Sequence, residues 1–177
     1  MKLENTKFDD AFILEPNIHK DSRGYFYESY NQEIFSDKVK KPINFVQDNH
    51  SLSNKNVLRG LHYQKPPFEQ AKLVRVISGA IYDVIVDIRR ESHNFGIWQS
   101  FILSSENNLQ LWIPRGFAHG FLSLEENTQV IYKTDNFYNK EASISIMHND
   151  IDLQIEWPVN NPILSPNDKN GIKFSEL

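Results

Sequence analysis

The chain has 177 residues, 19 of them basic and 23 acidic for a formal charge of -4, and it contains no cysteine. That length suits one compact domain, residues 1–177, able to bury roughly 70% of the surface its unfolded chain exposes without a disulfide or metal staple. The cysteine count excludes a thiolate nucleophile, a cysteine-ligated zinc and a cysteine-held iron–sulfur cluster, and the mild mixed charge gives no field favouring nucleic acid.

From the N-terminus onward, MKLENTKFDD has no signal-peptide-like apolar stretch, and no run of 18 apolar residues follows. A soluble, cytoplasmic protein with no membrane partner is therefore expected. Short apolar or alternating runs bounded by turn residues predict strands at Ala11–Leu14, Tyr25–Tyr30, Ile43–Gln47, Val57–Tyr63, Lys72–Ile77 and Ala80–Ile88. Further runs follow at Ile97–Leu103, Leu109–Ile113, Gly120–Leu124, Gln129–Lys133 and Ser143–Met147. The helix candidate is Gln32–Val39, with Asn31 as N-cap and Glu33 in the first turn. Ser78-Gly79, between two strand runs, reads as a hairpin turn. Aromatic residues make up 12% of the chain, which suits pleated surfaces, and the prolines are spread instead of marking a linker. The fold class is all-β, an antiparallel jelly-roll sandwich or barrel with a few short helices and a cavity between its sheets.

Strand alternation sorts the chemistry-bearing side chains. In Val57–Tyr63, Arg59 and His62 fall on opposite faces, and a bulge or local twist at Gly60 would bring them toward one pocket. Lys72 shares a face with Val74 and Val76, so it either snorkels at a rim, the commoner case, or stands inside a cavity. His50, His62 and His119 lack the H-x-H pair of a metal-binding jelly roll, so no metal is expected. Arg89-Arg90 reads as a solvated strand end, and Asp83 and Asp87 as members of a polar sheet face. The absence of G-x-G-x-x-G, P-loop and G-x-S-x-G motifs argues against a Rossmann cofactor, an NTPase and a serine hydrolase.

Seven blocks taken in order resemble one family: Asp21–Phe26 (DSRGYF), Phe45–Ser51 (FVQDNHS), Val57–Gln64 (VLRGLHYQ), Gln70–Val76 (QAKLVRV), Val86–Arg90 (VDIRR), Pro114–Phe121 (PRGFAHGF) and Tyr132-Lys133. They are similar to the dTDP-4-dehydrorhamnose 3,5-epimerases, cupin-type jelly rolls acting on nucleotide-linked 4-keto sugars. The resemblance implies His62 as base, Asp168 as the carboxylate orienting it, Tyr132 as acid on the opposite face and Lys72 beside the ketone. It implies Arg23 and Arg59 at the diphosphate, Glu28, Gln47 and Asn49 at the nucleotide, Tyr138 stacked on the base, and Phe26 and His119 as further substrate contacts. It also implies a homodimer, with the strand bearing Arg23 and Glu28 reaching into the partner's site, and no cofactor. The expected activity inverts C3 and C5 of a dTDP-4-keto-6-deoxyhexose; the alternative inverts one centre of a related sugar. Ser143 stands where the family usually carries a nucleotide-binding Glu, and Asn167 where it usually carries Lys, so the departures touch substrate identity before proton transfer. A non-catalytic sugar-binding jelly roll and a metal-dependent cupin dioxygenase are the readings from other classes.

Overall fold

A computed structural model describes residues Met1–Leu177. In chain order the strands are β1 (Lys2–Asn5), β2 (Phe12–Glu15), β3 (His19–Asp21), β4 (Gly24–Phe26), β5 (Gln47–Ser53), β6 (Leu58–Gln64) and β7 (Lys72–Ser78). They continue as β8 (Ala80–Asp87), β9 (Trp98–Ser104), β10 (Gln110–Ile113), β11 (Phe117–Ser123), β12 (Thr128–Thr134) and β13 (Ser143–Ser145). Helix α1 (Gln32–Val39) follows β4, and the short helix α2 (Pro166–Lys169) lies near the C-terminus. A six-stranded sheet runs β1-β2-β10-β7-β12-β5 and a five-stranded sheet runs β13-β6-β11-β8-β9, with β3 and β4 forming a separate hairpin. The ladders are antiparallel, as the short alternating runs require.

The two sheets face each other across one apolar core. Ile13, Val74, Val76, Leu111, Ile113 and Val130 enter it from the six-stranded sheet, and Ile81, Ile85, Leu103, Phe117 and Phe121 from the other. Side chains alternate along a strand, so the same parity that buries these residues also turns Lys72, Asp83, His119 and Tyr132 inward. The outer faces are covered too. Helix α1 lays Phe35 and Val39 on Leu14, Leu73 and Trp112, and burial of one such ring contributes about 2 kcal/mol. The chain after β13 lays Leu153 and Ile155 on Val84, Val86 and Ala118.

Helix α1 forms where expected, with the Asn31 side chain accepting the N–H groups of Glu33 and Ile34. Other expectations need correction. Ser78-Gly79 is no hairpin: β7 and β8 lie in different sheets, and Gly79, at φ +76°, turns the chain from one sheet to the other against Thr128. Residues 43–46 do not pair as a strand; Ile43 and Phe45 pack into the α1 cluster, and the strand begins at Gln47. The run from Tyr25 pairs only as far as Phe26. Asp83 and Asp87 do not sit on a polar face, because both are wholly buried.

The bulge expected at Gly60 is present. β11 pairs His119 with His62 and Phe121 with Arg59, so three steps on β6 match two on β11. The extra residue restores Arg59 and His62 to one side, and both line the inter-sheet cavity. Only glycine fits there: at φ +127°, a Cβ on Gly60 would stand 2.5 Å from Gly120 Cα and 2.8 Å from the His119 carbonyl oxygen. Gly60→Ala is therefore expected to lose more than about 3 kcal/mol of stability in denaturant unfolding, or to leave no folded protein. A loss below about 0.5 kcal/mol would show that β6 and β11 separate at little cost.

Candidate active site

One end of the sandwich opens as a cavity of about 910 Å³, a size that holds a drug-sized ligand. Its lining includes Arg59, His62, Lys72, His119, Tyr132, Tyr138 and Asp168. The two sheets contribute different groups. His62 on β6 and His119 on β11 come from the five-stranded sheet, whereas Lys72 on β7 and Tyr132 on β12 come from the six-stranded sheet. A flat ring between them therefore has imidazoles toward one face and the phenol toward the other.

His62 is held by Asp168, whose Oδ1 stands 2.5 Å from Nε2. The ring's Nδ1 makes no hydrogen bond within the protein, and His62 lines the cavity. Asp168 is 3% exposed, and the Ser165 hydroxyl donates to its Oδ2 at 2.8 Å. Burial pushes this carboxyl up, but the hydrogen bond and charge of His62, then the hydroxyls of Ser165 and Ser145, outweigh it and hold Asp168 below its ordinary range. The carboxylate is thus present to orient the imidazole and to stabilise its charged form.

His119, in register with His62 on the neighbouring strand, points Nε2 at both oxygens of Asp83, 3.0 Å from each. Burial lowers its pKa against the pull of Asp83, so a neutral ring is favoured near pH 7. Lys72 is the case in which alternation outweighs the commoner rim placement: it is buried and lines the cavity. Desolvation brings its ammonium down to about 8, with the charge of Asp83 opposing the fall. Burial raises the phenol of Tyr132, with the nearby Arg59 guanidinium opposing, so the hydroxyl keeps its proton near neutrality.

The nucleotide-side residues are only partly gathered. Arg59 is braced by Nε donating to Ser53 Oγ at 3.0 Å and Nη2 to the Leu52 carbonyl at 3.1 Å. Gln47 and Asn49 share the β5 face of cavity-lining Ser51, and Gln47 Oε1 accepts the Tyr138 N–H. Arg23, Phe26 and Glu28 do not border the cavity; they lie exposed on and beside the β3–β4 hairpin, with Arg23 paired to Asp21. Arg89 is not a solvated end: it donates to Asp87 and Asp10 and lies over the Phe117 ring at the cavity wall. Sequence reasoning missed Asp83, Ser145 and Ser165. The available signal for Asp83 was its parity with Ile81 and Ile85.

The profile of the family described as dTDP-4-dehydrorhamnose 3,5-epimerase matches residues 5–176. A relative of that name from Shigella flexneri is 51% identical over 98% of this chain and 96% of its own. The crystal structure of one from Elizabethkingia anophelis NUHP1 superposes with a TM-score of 0.95 at 48% identity, covering 99% of this chain and 97% of its own. A dTDP-6-deoxy-D-glucose-3,5-epimerase from Legionella pneumophila Philadelphia 1, solved in complex with dTDP-4-keto-L-rhamnose, also gives 0.95, at 44% identity over 98% of this chain and 93% of its own.

The burial of Lys72 sets a stability test. Between about pH 8 and the ordinary lysine range near 10.5, the unfolded chain holds a proton that the native state has lost, so stability rises with pH there. Below that window the buried charge opposes folding by on the order of 3 kcal/mol. Lys72→Met is expected to unfold at higher denaturant than the parent at pH 7, with the gap narrowing above pH 8. A variant less stable at pH 7 would mean that the ammonium's pairing with Asp83 outweighs its desolvation.

Proposed function

The chain belongs to the dTDP-4-dehydrorhamnose 3,5-epimerase family, and from that premise we propose that it converts dTDP-4-dehydro-6-deoxy-D-glucose to dTDP-4-dehydro-L-rhamnose by inverting C3 and C5. The observation carrying this reading is the placement of imidazole and phenol on opposing sheets of one cavity, with an ammonium on the phenol's sheet.

Inversion beside a ketone removes a carbon-bound proton from one face and returns one to the other. His62 takes the proton at Nδ1, Asp168 stabilises the imidazolium, and the electron pair moves onto the ketone oxygen as an enolate. Lys72 faces that oxygen, where a fixed positive charge lowers the barrier by favouring the oxyanion. Tyr132 then protonates the carbon from the opposite face, and Arg59 favours the phenolate left behind. Proton return through solvent resets both groups. Each acid–base partner contributes about 10²–10⁴-fold in rate. Neutral His119 serves the sugar pocket as a polar wall that does not compete with Lys72 for the enolate.

Arg59 and Arg23 meet the diphosphate, Gln47, Asn49 and Glu28 the nucleoside, and Tyr138 and Phe26 offer rings for stacking. Because Arg23, Phe26 and Glu28 stand outside this chain's own cavity, they act in a homodimer, each hairpin serving the other subunit's site. The enzyme works in the cytoplasm, where activated sugars are made, and supplies a precursor of cell-surface polysaccharide.

Incubation with dTDP-4-keto-6-deoxyglucose in D₂O, followed by proton NMR, is expected to place deuterium at both C3 and C5. Label at one carbon selects the single-centre alternative, and no label overturns the epimerase reading. His62→Ala should abolish exchange at both carbons while remaining folded, and exchange at the parent's rate would remove His62 as base. Tyr132→Phe is expected to slow net inversion more than exchange, because abstraction by His62 survives. Sedimentation equilibrium should report twice the 20.7 kDa chain mass; a monomer that retains full activity would refute the shared-site assignment.

A further inference from the structure

We propose that Ser165 is a positioning residue for this reaction, fixing the one orientation of the Asp168 carboxylate that presents Oδ1 to His62. The inference rests on the assignment of His62 as base and Asp168 as its orienting carboxylate. Ser165-Pro166-Asn167-Asp168 has the S-x-x-D spacing of a helix start, and Ser165 is the N-cap of α2. Its Oγ accepts the Asp168 backbone N–H at 3.1 Å and donates its own proton to Asp168 Oδ2 at 2.8 Å.

In the usual capping box the acidic side chain reaches back to the N-cap backbone N–H. Here it takes the N-cap hydroxyl instead, so one serine caps the helix and ties down the carboxylate that the helix carries. With Oδ2 engaged, Oδ1 is left for Nε2 of His62 at 2.5 Å. Apart from His62 itself, the carboxylate's one other side-chain contact is longer: the Ser145 hydroxyl is 3.5 Å from Oδ1. The titratable groups facing Asp168 are His62 from β6 and His148 beyond β13, and His148 makes no hydrogen bond to it. Asp168 is 3% exposed, so no bulk water stands ready to replace a lost donor at Oδ2.

The double role needs a group that accepts and donates at one atom. Serine and threonine provide it; glycine caps nearly as well but donates nothing, and alanine does neither. Ser165→Ala and Ser165→Gly are each expected to lower kcat by roughly 10- to 100-fold, the scale of one hydrogen bond to a charged group, with KM within about threefold of the parent. Ser165→Thr should restore kcat to within about threefold of the parent. The second readout is a carbon-13 NMR titration of the Asp168 carboxyl in unliganded protein, expected to move up by about half a unit or more in the Ala and Gly variants and to return in Thr. That titration needs no substrate, so a parent protein inactive on the nucleotide sugar would overturn the functional reading without obscuring the coupling of Ser165 to Asp168. Either readout remaining at its parent value in both Ala and Gly variants overturns the proposal, and an altered melting temperature with unchanged kcat reduces Ser165 to a helix cap.

Discussion

The cavity depends on ionisable side chains withdrawn from water at the open end of an apolar sandwich. Lys72, Asp83, His119 and Asp168 are all buried, and none would be tolerated there alone. Asp83 is the centre of this balance. It accepts from His119, and its charge is what opposes the desolvation of Lys72. A neutral imidazole and an ammonium therefore share one inward patch with a carboxylate that makes the burial of each less unfavourable. At the other side of His62, Asp168 meets the same demand with donors from β6, β13 and the start of α2. Polar groups held in this way do not need to reorganise when charge develops on a bound sugar.

The sandwich turns that constraint into two-sided chemistry. A single sheet presents its side chains to a ligand from one direction only. Two facing sheets present them from both, and here His62 and Tyr132, the proposed base and acid, come from different sheets. The bulge at Gly60 is the local adjustment that makes this work, because regular pairing along β6 would send either Arg59 or His62 outward. Close backbone packing of β6 on β11 and the placement of His62 are one structural fact.

Much of this could be read from the sequence, for identifiable reasons. The all-β sandwich, α1 and most central strands follow from apolar alternation and capping, which act locally. β5 escaped notice because QDNHSLS has a single apolar residue, Leu52, and its inward face is polar, with Ser51 lining the cavity instead of a core. The corner at Gly79 imitated a hairpin because a tight glycine turn looks alike whether the chain pairs with itself or crosses to another sheet. Asp83 and Asp87 were assigned to a polar face because buried carboxylates are rare, and their partners, His119 and Arg89, could be matched to them only in three dimensions. The S-x-x-D motif was visible, but nothing local says that its acid faces an imidazole more than a hundred residues away.

That last separation has a bearing on how the molecule fails. His62 and Asp168 are 106 positions apart, and Asp168 arrives on a segment outside the main ladders, which packs over the five-stranded sheet and is pinned on either side of Asp168 by the isolated bridges Val57–Ile163 and Ile146–Ile172. Such peripheral segments open at lower free energy than the strands beneath them. When this one lifts, the imidazole loses its companion while Lys72 and Tyr132, each fixed in a central ladder, stay in place. Loss of that one contact would leave the cavity's walls standing and its imidazole unsupported.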